Sequence, residues 1–81
     1  MGTKSIHSKQ YATFLRTLVD KRKSANITQQ QLALRLGKPQ SYVSKLERAE
    51  RRMDIIEFLS IASVLGVDPC AIVRKLAKAN Q

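Results

Sequence analysis

The 81-residue sequence holds one cysteine, one histidine, no tryptophan and only six acidic residues. A lone Cys70 can close no internal disulfide and supplies no cysteine cluster for zinc, which fits a reduced, cytoplasmic setting. No stretch approaches eighteen apolar residues, and the N-terminal residues carry no signal-peptide apolar core, so no membrane partner is expected. Three glycines make no phosphate-cradling loop, and His7 lies alone in a polar N-terminus. Asp54 with Glu57 reads as a helix start rather than an acid/base pair. Cys70 falls in the first turn of a helix, where a thiol pKa is lowered, yet it reads more simply as inert, partly buried core. No enzyme activity, cofactor or metal is expected. Strand alternation, internal repeats and low-complexity tracts are also missing.

What the chain does have is positive charge. Fifteen Lys and Arg against six Asp and Glu give +9 at neutral pH, with a pI near 10.3. Such an excess favours polyanions, nucleic acid before an acidic membrane or acidic protein. At 43% apolar, the length allows one domain with a modest core. The domain is placed at residues 8–78, with flexible ends at 1–7 and 79–81.

The spacing predicts five helices. Ser8 caps a first helix, with Tyr11, Phe14, Leu15, Leu18, Val19 and Arg22 at helical period, ending near Lys23. Asn26 follows as the residue best suited to positive φ. Thr28 and Gln31 stand at capping-box spacing and open a second helix ending near Leu36. Gly37 permits a left-handed turn and Pro39 can begin a helix, so the third helix runs from Pro39 or Gln40 to about Glu47. Asp54 caps a fourth, with Ile55, Ile56, Phe58, Leu59, Ala62 and Leu65 as its apolar run and Gly66 as its stop. Asp68-Pro69 opens a fifth, with Ala71, Ile72, Val73 and Leu76 apolar. Short connections make this an all-α bundle.

Within it, Thr28–Glu47 is two short helices joined by a tight turn. Val43 and Leu46 face the core, which turns Gln40, Ser41, Ser44 and Lys45 outward at the head of the third helix. That face suits the DNA major groove: Gln matches adenine N6/N7, Ser is short and adaptable, and Lys reaches guanine O6/N7 or phosphate. Thr28 and Gln29 begin the second helix, whose open N–H groups suit a phosphate oxygen, and Gln29 also lies within reach of Gln40. Lys38 in the turn and Arg48, Arg51 and Arg52 after the third helix are assigned to the phosphate backbone. Two readings of Tyr42 stay open: its hydroxyl meets phosphate, or it packs against the fourth helix. Glu47 would repel phosphate if it pointed out, so it is expected to turn inward and pair with Arg22.

These residues carry a resemblance. The pattern LTQxxLAxxLGxxQSxVSKxE, present here from Ile27-Thr28-Gln29 through Glu47, resembles the helix-turn-helix domains of phage Cro and repressor proteins, the Cro/CI or XRE-type family. The likeness spans roughly Phe14 to Leu76 and is nearest to small stand-alone transcriptional regulators. It implies a five-helix, lambda-repressor-like domain acting on operators as a two-fold dimer. By the same resemblance Gln29 contacts phosphate and braces the reading helix. Gln40 and Ser41 read bases, Ser44 and Lys45 form the next exposed turn, and Arg22 and Glu47 form an interior salt bridge. Two positions depart from the family: Asn26 replaces a Gly, and Ala49 stands where Gly commonly follows the glutamate. If Ala49 still needs positive φ it costs about 1 kcal/mol, and the Arg48–Arg52 loop is otherwise free to take another path.

With no separate oligomerisation domain, a homodimer is expected through the fifth helix: Cys70, Ala71, Ile72, Val73 and Leu76. Sequence-specific binding of double-stranded DNA, with repression or autoregulation, is the leading functional reading. An antitoxin with a protein partner, a restriction–modification controller, or a basic protein-interaction module are the alternatives.

Overall fold

The Ser8 hydroxyl accepts the Tyr11 N–H at 3.0 Å and starts the first helix, α1 (Lys9–Ser24). Four more follow: α2 (Gln29–Leu36), α3 (Gln40–Glu47), α4 (Ile55–Leu65) and α5 (Pro69–Ala79). This computed structural model describes residues 8–79; the expected flexible segment 1–7, with His7, and residues 80–81 lie outside the described residues. Helix α5 reaches Ala79, one residue past the expected end of the domain. Thr28 and Asp54 each close a capping box, with Gln31 and Glu57 respectively, so α2 and α4 begin where short polar side chains satisfy their first N–H groups. Of the two expected starts of α3 the helix takes Gln40, with Pro39 as an N-cap that supplies no side-chain bond.

Four helices end in one way. After α1, Asn26 N–H reaches Lys23 O and Ile27 N–H reaches Arg22 O. Gly37 with Lys38, Ala49 with Glu50, and Gly66 with Val67 repeat the same two bonds after α2, α3 and α4. This is the Schellman arrangement, which needs a residue in the left-handed region. The φ values are 58° at Asn26, 70° at Gly37, 60° at Ala49 and 70° at Gly66. Ala49 therefore keeps the positive φ, and the loop does not take the alternative path left open to it. A Cβ is least welcome there, because Ala lacks the local polar bonding that eases Asn into this region.

Two adjoining clusters form the core. Leu32, Ala33, Val43, Leu46, Ile61 and Leu65 pack α2 and α3 onto α4. Leu18, Phe58, Ala62 and Ile72 join α1, α4 and α5, with Phe14 edge-on to Phe58 at 5.1 Å between ring centroids. Met53 and Val67 touch both clusters. The expected apolar run of α4 divides. Phe58, Ile61, Ala62 and Leu65 share one stripe at helical spacing and are buried. Ile55, Ile56 and Leu59 turn outward, at 61%, 66% and 44% exposure. The expected apolar side of α5 divides likewise. Ile72 is buried among Leu18, Phe58 and Ala62, so it is not available to a second copy. Leu76 is half-buried, Val73 is 49% exposed, and Ala71 and Cys70 are exposed. Cys70 is not core: Asp68 and Pro69 start the helix so that its second residue faces out.

Candidate nucleic-acid interface

The turn between α2 and α3 is set by Gly37, and the placement of α3 is set by a carboxylate. Arg22 Nε donates to Glu47 Oε2 at 2.7 Å and Arg22 Nη2 to Glu47 Oε1 at 3.1 Å. Arg22 Nη1 donates to the Ile27 carbonyl at 2.7 Å, and Gln29 Nε2 donates to Glu47 Oε1 at 2.8 Å. One ion pair thus ties α1, the α1–α2 loop, the start of α2 and the end of α3. With both charged side chains nearly enclosed, at 9% and 14% exposure, losing one partner leaves a costly unpaired charge. Gln29 is committed to Glu47 and does not hold Gln40.

That anchoring leaves Gln40, Ser41 and Lys45 exposed on α3 and Ser44 half-buried beside them. Among the described residues, no intramolecular hydrogen bond occupies any of these four side chains. Pro39 offers no side-chain oxygen, so the head of α3 also presents N–H groups without a side-chain cap. Thr28 is exposed, although its hydroxyl accepts the Gln31 N–H at 3.0 Å, and Lys38 is exposed in the turn. A face of free amide, hydroxyl and ammonium groups on one short helix can read base edges or hold phosphate.

Tyr42 faces α4. Its hydroxyl donates to Glu57 Oε2 at 2.6 Å, which matches the packing on the fourth helix and not the phosphate contact among its two open readings. Arg51 Nη1 donates to the same oxygen at 2.6 Å, and Glu57 Oε1 accepts the Asp54 N–H at 2.9 Å. The Arg51 guanidinium lies over the Tyr42 ring at 4.9 Å and the Lys38 ammonium at 5.4 Å. Partial burial and the bond to Glu57 push the Tyr42 hydroxyl up to about 12. Burial works to raise Glu57, but bonds from Tyr42, the Asp54 N–H and Arg51 outweigh it and hold the carboxyl below its usual range. The hydrogen bond to Glu57 raises Arg51 further. Of the three loop arginines, Arg51 is therefore engaged, Arg48 pairs at the surface with Glu50 at 3.2 Å, and Arg52 is exposed. Glu57 is the residue that sequence reasoning left with a capping role alone. Its only sequence signal was the box spacing to Asp54, which says nothing of contacts with Tyr42 and Arg51.

Comparison with known proteins bears on this arrangement. A helix-turn-helix family model, HTH_3, matches residues 18–72, more than half of the chain. A solved structure described as an XRE-family like protein from Pseudomonas syringae pv. tomato str. DC3000 is 48% identical, with a TM-score of 0.89. The match covers 99% of this chain and 98% of that one. The chain belongs to the XRE family of helix-turn-helix proteins. No curated protein matches the sequence. As an XRE-family helix-turn-helix protein it is a DNA-binding transcription regulator, and α2 and α3 are its helix-turn-helix. Among the described residues no three His, Cys, Asp or Glu side chains are grouped to hold a metal. Nor is any single helix there long and apolar enough to cross a membrane.

Proposed function

We propose that this XRE-family protein binds a dyad-symmetric operator as a homodimer and represses transcription from it, its own promoter included. The observation that carries the reading is the outer face of α3. Among the described residues the side chains of Gln40, Ser41, Ser44 and Lys45 make no internal hydrogen bond, while the Arg22–Glu47 pair fixes the helix that bears them. In this reading Gln40 and Ser41 read bases and Ser44 and Lys45 take the following step. Thr28, Lys38, Arg48 and Arg52 hold the two phosphate strands. Gln29 serves as a brace through Glu47, with its backbone N–H at the start of α2 left for phosphate.

The dimer surface in this reading shifts from the one expected. Ile72 is withdrawn into the monomer, so Val73 and the edge of Leu76 act with Ile55 of α4 across the groove that Tyr11 and Phe14 floor. Exposed apolar side chains gathered on one side mark an association surface better than single ones do. Two copies joined there would set two α3 helices against half-sites about 34 Å apart, one turn of DNA.

Selection from random duplex DNA tests this. The expected result is an enriched motif with dyad symmetry and half-sites one helical turn apart. Generic, salt-sensitive binding with no enriched motif would overturn it.

A further inference from the structure

Beside the head of α3, three donors converge on one carboxylate. Tyr42 Oη and Arg51 Nη1 both lie 2.6 Å from Glu57 Oε2, and the Asp54 N–H lies 2.9 Å from Oε1. Tyr42 directly follows Ser41 on the reading helix, and its ring also carries Lys38 of the turn, so Arg51 stands at the edge of the proposed DNA face. An arginine and a tyrosine hydroxyl in this place have the chemistry of a phosphate contact. Here that chemistry is already satisfied from within.

We infer that Glu57 is a positioning residue that keeps Arg51 and the Tyr42 hydroxyl off the DNA backbone, and so limits sequence-independent affinity. The inference rests on the DNA-binding reading above. Arg51 bonded to Glu57 is electrically neutral as a pair, and a neutral pair displaces no counterion from DNA. The guanidinium is held further by the Tyr42 ring, whose centroid lies 4.9 Å away. Arg48 differs: its partner Glu50 is as open to solvent as it is, and such a pair yields readily to phosphate. The loop thus presents Arg48 and Arg52 to DNA and withholds Arg51, although all three carry the same charge.

The test is the salt dependence of binding to a duplex of scrambled sequence. Glu57→Gln retains an amide oxygen for the Asp54 N–H, so the α4 capping box survives; circular dichroism and melting check the fold. With the carboxylate charge gone, Arg51 is released. The slope of log K against log salt should steepen by about 0.9, a further fall of about 3.5-fold over a fourfold rise in salt. The double variant Arg51→Ala/Glu57→Gln should return to the native slope, because it removes a neutral pair. A folded Glu57→Gln protein with an unchanged or shallower slope overturns the inference. So does a double variant about 0.9 shallower than native, which would mean that Arg51 already contacts phosphate. If the native protein binds no duplex at all, the DNA-binding reading fails first, and that is seen without any variant.

Discussion

Arg22 is the one charged residue among the described residues that is buried, and its guanidinium donates both to Glu47 of α3 and to the Ile27 carbonyl of the α1–α2 loop. Removing its partner by Glu47→Ala should lower unfolding stability by about 3–5 kcal/mol in chemical denaturation, and a loss under about 1 kcal/mol would show the pair to be ornamental. This residue pair is legible from sequence, because a carboxylate on a DNA-facing helix of a +9 protein has few other places to go. Tyr42 and Glu57 are less so: fifteen positions apart and each with an ordinary local role, they meet only once α3 and α4 are packed. Tyr42 also makes a pH prediction. Its folded value of about 12 exceeds the ordinary tyrosine value of about 10. The stabilisation from the protonated hydroxyl is therefore complete below the ordinary value and is lost as pH rises through about 12. In a Tyr11→Phe variant, ultraviolet titration should place the single tyrosinate step near 12; a step near 10 would mean the hydroxyl is not held by Glu57.

At the scale of elements, four helices stop by the same pair of bonds, and only two of them have glycine to do it. Asn26 tolerates the left-handed region through its polar side chain, whereas Ala49 has nothing to offset the contact of its Cβ. Ala49→Gly should therefore raise stability by about 1 kcal/mol, visible as a melting temperature several degrees higher, while DNA binding is retained. A loss of stability would contradict a strained left-handed Ala. The starts of α1, α2 and α4 are plain in the sequence, because Ser8, Thr28 and Asp54 act on residues three positions away. The end of α3 is not, since no property of Ala announces positive φ; only the resemblance to a family with Gly there pointed to it. Helix α4 shows the same limit from another side. Its apolar residues are too numerous for one face, and which of them turn inward depends on where α2 and α5 lie.

For the whole molecule, the consequence is a division of surface. The α3 face carries Gln40, Ser41 and Lys45 with Lys38 beside it in the turn, whereas Ile55, Val73 and the edge of Leu76 line a separate groove that Arg52 also borders. If that groove is the dimer surface, sedimentation should show mass rising toward two copies with concentration, and Ile55→Glu should keep the protein monomeric and weaken operator binding. A native protein that stays monomeric at high micromolar concentration, even on a palindromic site, would contradict this. Of the five α5 residues expected to form a dimer surface, Ile72 is taken up by the monomer itself. Ile72 had the strongest apolar character on α5, and for that reason the monomer's own core claims it.

The proposed DNA contacts divide between α3, which reads bases, and the flanking arginines, which hold the backbone. The most direct measurement is the affinity of native, Gln40→Ala and Arg52→Ala proteins for a selected operator and its single-base variants. Gln40→Ala should erase discrimination of about 1–3 kcal/mol at one base pair of each half-site and leave the others intact. Arg52→Ala should weaken binding to every sequence alike and make the salt slope shallower by about 0.9. An unchanged base preference in a folded Gln40→Ala protein would contradict the assignment of this face to DNA reading.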